Sequence, residues 1–368
     1  MPDNIKSHIE EGTHVYRPGG FHPVCIGDVF KDRYKVLNKI GYGVYSTFFL
    51  VRDLQSAQRG NENEFRALKV LSAECYHETQ APIFEREILT HLRDGDCNQL
   101  GYYHVCHLLD DFEHCGPNGT HVCLVFELMG ETLRSFGAWF IESRLPNSVM
   151  RRFTIQFLLA LDFAHEHNVI HTDIKPDNIF VKFRDFSLIE PGYLVHVEIP
   201  KQDSSEEHYS VIPSTPLRRY YFNETDSTRV DEFDIALGDW GVTTWADRHL
   251  SKTIQPAVRM FSGSVPPDDH YELKEHLAAI VNLFGPFPRD LLDRGDKSLV
   301  YNLFDDDGRV KDSLPIDRPE LASEAFLPGL NQSDRDEFAS FLHAMMKINP
   351  ADRISAEDLL RHPWLDAL

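Results

Sequence analysis

The chain has 368 residues. At about 150 residues per domain that allows two domains or one large bilobal one, and a full buried core. Apolar residues make up 42% and charged residues 26%, which excludes collagen, wholesale disorder and mucin-like stalks. Acidic side chains outnumber basic ones 58 to 37, a net charge of −21; that disfavours direct nucleic-acid binding, which needs clustered Lys and Arg, and fits either a basic peptide partner or plain solubility.

The six cysteines (Cys25, Cys75, Cys97, Cys106, Cys115 and Cys123) form no C-x-x-C pair. Neither a disulfide framework nor zinc spacing is expected from them. No secretory apolar run precedes Gly12, and no stretch approaches the ~18 apolar residues of a membrane span. The expected setting is reducing, cytoplasmic and nuclear, with no membrane partner.

From Tyr34 the residues alternate, with Tyr34, Val36 and Ile40 predicted on one strand face. Gly41-Tyr42-Gly43 precedes an apolar run, Phe48-Phe49-Leu50-Val51, and a polar loop leads to Ala67-Leu68-Lys69-Val70-Leu71. These predict three strands of an antiparallel meander. A helix is predicted from Phe84 to Leu92, then a buried strand over His121 to Phe126. Beyond Gly130 the period becomes helical: Val149, Phe153, Phe157, Leu158 and Leu161 share one wide face. Phe338, Phe341, Leu342 and Met345 repeat that spacing, with Ser333 as the expected N-cap. Ser355 and Asp358 predict a capped last helix. A strand-rich first third and a helical remainder make the fold class α+β, with two lobes. The stretch from about Pro200 to Asp231 is polar and without period, and reads as an insert or spacer.

Four motifs carry chemistry. Gly41-Tyr42-Gly43-Val44-Tyr45-Ser46 joins two strands, so its backbone N–H groups can cover a triphosphate, whereas a dinucleotide loop would enter a helix. Lys69 sits within an apolar strand and needs a counter-charge, which Glu85 or Glu87 could supply. His171-Thr172-Asp173-Ile174-Lys175-Pro176-Asp177-Asn178 follows the long apolar helix. There Asp173 can orient an alcohol and accept its proton, Lys175 can neutralise a transferring phosphoryl group, and the Asn178 amide oxygen suits Mg²⁺. Leu237-Gly238-Asp239-Trp240-Gly241 offers a second carboxylate for the metal. Zinc binding by His165, His167 and His171 fails the zincin spacing, since Val169 stands where the second histidine belongs. No P-loop motif is present. Asp305-Asp306-Asp307-Gly308 lacks the terminal glutamate of a calcium loop and reads as a solvated turn.

Together, in this order, these residues resemble the eukaryotic protein kinase family. Within it the chain resembles the SR-protein kinases, of fungal type. Three features carry this: the leader from Tyr16 to Asp28, His-Thr-Asp in place of His-Arg-Asp, and the 66 positions between Asp173 and Asp239. The resemblance implies a bilobal protein-kinase-like fold, with a small antiparallel-sheet N-lobe and a mainly helical C-lobe. It implies an N-terminal extension over 1–33 and a kinase domain over 34–366. Within that domain the N-lobe is 34–127, the hinge 127–130 and the C-lobe 131–366, with a spacer at about 183–231.

It further implies a serine/threonine kinase that uses ATP and Mg²⁺ on basic Arg/Ser-rich proteins, tied to splicing regulation and acting as a monomer. Ile40, Gly41, Tyr42, Gly43 and Val44 form the loop over the nucleotide. Lys69 contacts its α/β-phosphates and pairs with Glu85, with Glu87 as second choice. Phe126 is the gatekeeper, and Glu127 and Met129 belong to the adenine hinge. Asp173 and Lys175 are catalytic, and Asn178 and Asp239 are the metal ligands. Thr172 removes the arginine that would read an activation-loop phosphate, so activity is expected without that modification. A docking surface is implied near Asp268 to His276.

One departure stands out against the family. After Gly241 an Ala-Pro-Glu segment and a central buried helix are expected, yet Pro256 runs into Ala257-Val258-Arg259. On the order of 30–40 residues are missing by this comparison, leaving the C-lobe incomplete and Arg353 without its carboxylate partner. The alternative reading is therefore a kinase-like nucleotide- or partner-binding module without transfer.

Overall fold

The structure, a computed structural model, describes residues 10–59, 63–76, 83–140, 144–183, 185–197, 209–217, 233–248, 264–265, 270–314 and 319–365. The Pro256–Ala257 junction, Asp268 and most of the spacer fall outside these residues. The chain divides into two compact units, Met1–His249 and Leu250–Leu368.

The first unit is built on a six-stranded antiparallel sheet. Its strands are β1 (Val29–Phe30), β2 (Tyr34–Tyr42), β3 (Ser46–Asp53), β4 (Phe65–Leu71), β5 (Leu108–Gly116) and β6 (Gly119–Glu127), in the order β1-β2-β3-β4-β6-β5. The predicted meander is β2-β3-β4. β1 and the hairpin partner β5 were not expected: β1 is two residues long, and β5 carries Asp110, Asp111, Glu113 and His114, which mask its apolar period. Alternation puts Leu68 and Val70 on one face with Val36, Phe49, Val51, Cys123 and Val125. Each such side chain contributes about 1.5–3 kcal/mol on burial. Lys69 must then face the opposite side.

Strand β2 departs from simple alternation. Register shifts between Val36 and Asn38 and between Lys39 and Gly41 mark irregularities in the β2–β3 ladder. Ile40 therefore ends half-buried, while Lys39 is turned inward and is 0% exposed. Its ammonium is held by Glu10 (2.9 Å), Glu11 (2.6 Å) and the Ile212 carbonyl (3.1 Å). Part of the stretch expected as an insert or spacer packs against this sheet. Residues 209–217 pack on the sheet, with Ile212 in its core, Leu217 buried beside Leu50, and Thr215 N–H donating to Lys39 O. A short apolar anchor inside a polar stretch carries no periodic signal.

Between β3 and β4 lies the short helix α1 (Leu54–Gln58), capped by the Asp53 carboxylate. Helix α2 (Glu85–Arg93) buries Glu85, Ile88, Leu89 and Leu92, one face at i, i+3, i+4 and i+7. Glu85 and Glu87 at its start and His91 and Arg93 at its end suit the helix dipole. After β6 the chain enters β7 (Met129–Thr132), α3 (Leu133–Gly137) and the twenty-residue α4 (Asn147–Glu166). Val149, Phe153, Leu158 and Leu161 are buried as predicted, but Phe157 is only half-buried. Gln156 is buried instead, because its Oε1 accepts the Ile235 N–H at 2.9 Å. Four short strands follow: β8 (Val169–Ile170), β9 (Ile179–Lys182), β10 (Ile235–Leu237) and β11 (Thr244–Trp245). They pair as β10-β9-β7 and β11-β8.

In the second unit, β12 (Ser264–Val265) pairs with β13 (His270–Tyr271). The helices are α5 (Leu273–Phe284), α6 (Arg289–Leu292), α7 (Lys297–Leu303), α8 (Gln332–Met345) and α9 (Ala356–Leu359). Helix α8 is capped by Asn331, whose side chain accepts the Asp334 N–H, and not by Ser333. Ser355 caps α9 as expected, through the Asp358 N–H. The acidic turn closes on Asp305, whose carboxylate accepts from Asp307 and Arg309 N–H. Gly308 is required there: its φ is +76° and a Cβ would lie 2.2 Å from the Phe287 carbonyl oxygen. Arg353 donates to the Lys347 carbonyl and pairs with no carboxylate among the described residues.

Candidate active site

Lys69 projects from the middle of β4, opposite Phe48 of β3 and Leu124 of β6. Its Nζ donates to Glu85 Oε1 at 2.5 Å, and Asp239 Oδ1 lies 3.8 Å away. Lys69 is 5% exposed and Glu85 2%. Burial opposes the ammonium charge, but the Glu85 and Asp239 carboxylates outweigh it and hold Lys69 above the usual lysine value. Glu87 is exposed on the other side of α2. Ile40 and Ala67 pack on the cluster of Leu50, Phe65 and Leu128, and Ala67 stands opposite Phe126. This apolar surface adjoins buried Met129. Glu127 accepts the His107 N–H at 3.4 Å and faces Lys182 at 3.7 Å.

At the glycine turn, Gly43 N–H donates to Ser46 O at 2.8 Å. A Cβ on Gly41 would meet no protein atom within 4 Å. The protein itself thus supplies no steric reason for that glycine, and the space admits a close approach from outside. Val44 is 82% exposed at the tip, and Tyr42 is exposed beside Gly41. The polar cluster around Lys69 does not include them.

The loop between β8 and β9 brings the other groups together. Asp173 Oδ2 accepts from Lys175 Nζ (2.5 Å) and Asn178 Nδ2 (2.9 Å), and Asn178 Nδ2 also donates to Asp173 O (2.8 Å). The amide nitrogen of Asn178 is thus occupied, which leaves Oδ1 as its donor atom toward a cation. Gly238 N–H donates to Asn178 O at 2.8 Å, and Leu237 pairs with Ile179. Two oxygen-bearing side chains, Asn178 and Asp239, therefore sit on adjoining backbone despite the long intervening segment. Amide and carboxylate oxygens suit a hard divalent cation. Among the described residues no group of three or more His, Cys, Asp or Glu is placed to hold a metal. His167 Nδ1 bonds Phe163 O and His171 bonds Gly238 O, so the histidines do not converge.

His171 is buried, and burial holds it below the usual histidine value. Its Nδ1 accepts the Asp173 N–H (3.3 Å), so Nε2 carries the proton and donates to Gly238 O (2.9 Å). Thr172 and Asp239 adopt φ of +65° and +56°, a strained choice for residues with a Cβ. Thr172 Oγ1 donates to Val242 O at 2.7 Å. Threonine at 172 is visible in the sequence as a substitution, but this bond is not, because its partner lies 70 residues on.

A family model, the protein kinase domain, matches residues 34–195. A serine/threonine protein kinase of Aspergillus fumigatus is 31% identical over 385 positions, covering 97% of this chain and 91% of that protein. That alignment is longer than the 368-residue chain, so the relative holds residues within the matched stretch that this chain lacks. Serine/threonine-protein kinase SRPK of Physarum polycephalum is 26% identical, with the same 97% and 91% coverage. Protein kinase dsk1 of Schizosaccharomyces pombe is 41% identical over 208 residues, 56% of this chain but only 36% of dsk1. The crystal structure of a kinase domain shares the fold, with TM-score 0.57 and 18% identity over 93% of this chain and 98% of that one. On its sequence matches and its fold, the chain belongs to the eukaryotic serine/threonine protein kinases and is SR-protein-kinase-like.

Proposed function

We propose that this chain transfers the γ-phosphoryl group of ATP to serine hydroxyls in basic, Arg/Ser-rich proteins, acting as a monomer in the cytoplasm and nucleus. The supporting observation is the bond from Gly238 N–H to Asn178 O, which joins the backbone that carries Asn178 to the backbone that carries Asp239. Lys69, fixed by Glu85, would hold the α/β-phosphates under the Gly41–Val44 turn, with Ile40 and the Glu127–Met129 stretch around the adenine. Asp173 orients the serine hydroxyl and takes its proton, and Lys175 neutralises charge on the moving phosphoryl group. Asn178 and Asp239 would hold Mg²⁺, which when bound neutralises phosphate charge. The remaining requirement is positioning, which buried and paired side chains supply. The net charge of −21 favours a basic substrate. Among the described residues no helix is long and apolar enough to cross a membrane.

A second reading, nucleotide binding without transfer, is favoured by the residues that the Aspergillus relative has and this chain lacks. Two assays separate them. Thermal stabilisation by Mg·ATP reports binding. Labelled phosphate transfer to an Arg-Ser peptide, with Asp173→Ala as control, reports catalysis. Stabilisation without transfer supports the binding module. Transfer that persists in Asp173→Ala would show that Asp173 is not the group that takes the serine proton.

A further inference from the structure

His22, His114 and His121 take no part in the chemistry above, yet their rings meet where the leader crosses the sheet. The His22 ring lies 4.6 Å from that of His114 on β5, 4.9 Å from that of His121 on β6 and 5.9 Å from that of Phe30 on β1. It also rests on Gly116, where a Cβ would lie 2.3 Å from the imidazole. His22 is 6% exposed and His121 0%. His121 Nδ1 faces the Leu71 carbonyl at 2.9 Å, and a carbonyl only accepts, so Nδ1 carries the proton. His121 Nε2 is then a bare lone pair, and neither it nor His22 Nδ1 has a hydrogen-bond partner among the described residues. Among those residues the carboxylate that faces the cluster is Asp28, on the side of His114, and it already accepts the Cys25 N–H at 2.7 Å. A proton added to His22 would therefore find no acceptor, no counter-charge and no bulk water.

The residues beside His22 form a clasp. Gly19 N–H donates to Asn118 O at 2.7 Å, and Asn118 Nδ2 donates to Phe21 O at 2.6 Å. Ala73 and Glu74 N–H donate to Gly20 O (3.0 Å) and Gly19 O (2.8 Å). Residues 19–22 thus tie the β5–β6 turn to the exit of β4. We propose that the three histidines are an acid-sensitive latch, which holds residues 19–22 on the sheet while the imidazoles are neutral and releases them when His22 takes up a proton. Release gives the imidazolium the water it lacks in the closed form, so protonation and opening are one event. Burial, helped by the neighbouring imidazoles, keeps His22 near 3 while the latch is closed, and an open segment returns it toward 6.5. The closed form is therefore fully favoured above 6.5 and loses ground as pH falls toward 3. This device goes beyond phosphoryl transfer and does not depend on it.

The test is amide exchange on the full chain between about pH 6 and about pH 4.5, each amide corrected for its intrinsic rate. One coupled proton predicts an open fraction that rises about tenfold per pH unit. Protection of the Gly19, Ala73 and Glu74 amides should fall by that factor, while Phe49 and Leu50 in the middle of β3 keep theirs. In His22→Phe and His22→Gln the fall should be absent in whichever variant keeps the β3 protection. Protection in the parent that does not change with pH overturns the proposal. So does a parallel loss at Phe49 and Leu50, which would mean unfolding of the sheet and not a latch. A fall that persists in the variants overturns it as well, since another group would then take the proton. Imidazole NMR of the parent needs no variant: release that tracks the charging of His22 supports the latch, and a charged His22 with Gly19, Ala73 and Glu74 still protected sinks it.

Discussion

At the scale of single residues, burial is what makes the Lys69–Glu85 pair informative. An exposed pair is worth little, whereas breaking a buried one leaves a charge that water cannot reach. Glu85→Ala should therefore destabilise the protein by about 3–5 kcal/mol in urea unfolding. The double variant Lys69→Met/Glu85→Leu should recover much of that loss, because apolar side chains of similar volume suit a dry site. It should not recover stabilisation by Mg·ADP. A double variant that is still stabilised by nucleotide would show that Lys69 does not contact it. The residues alone left Glu85 and Glu87 open and only the family resemblance favoured Glu85; in the structure Glu85 shares the buried face of Ile88, Leu89 and Leu92. The bond of Thr172 to Val242 was not legible, since only the closed loop brings them together. With threonine rather than arginine at 172, phosphatase treatment should leave transfer activity in place; its abolition would refute the role inferred from that substitution.

At the scale of elements, strand β2 and the anchor at 209–217 act together. Sequence alternation located β2 but not the register shifts that turn Lys39 inward, and polarity hid the anchor altogether. If the anchor were only a spacer, Ile212→Ala would cost nothing. Because Ile212 is buried in the core of the sheet, about 2–5 kcal/mol should be lost in urea unfolding. The leader and the β5–β6 hairpin meet in a second cluster. The rings of His22 and His114 are 4.6 Å apart, and those of His22 and His121 are 4.9 Å apart. Burial, then the neighbouring His121 and His114, push His22 down to about 3. His114 and His121 are also lowered by burial. A histidine whose folded value is depressed binds its proton more readily in the unfolded chain. Its contribution to stability is present above the unfolded value near 6.5 and fades as pH falls toward 3. Between pH 6 and about 4.5 the unfolding free energy should fall by about 1.4 kcal/mol per pH unit for His22 alone. His22→Phe should flatten that slope; an unchanged slope would show that His22 does not carry it.

At the scale of the whole molecule, the order of motifs was enough for the family and the α+β class. That is because phosphoryl transfer needs a fixed set of groups, and each motif supplies one through local sequence. The division of the described chain into units at His249 and Leu250 had no such local sign. It follows from long-range packing, which composition and period do not encode. All candidate site residues, from Ile40 to Asp239, lie in the first unit. Ligand binding stabilises what it contacts, by about 2.7 kcal/mol at a hundred times the dissociation constant. Saturating Mg·ADP should then slow amide exchange in β2, β4, α2 and the 171–178 and 237–241 loops. Exchange in α5 to α9 should stay near its ligand-free rate, because their own core (Ala339, Phe341, Leu342 and Trp364 among it) holds them independently of the nucleotide groups. Equal protection of both units would mean that binding orders the chain as one cooperative body, and protection of the second unit alone would place the ligand away from Lys69, Asp173, Asn178 and Asp239 alike.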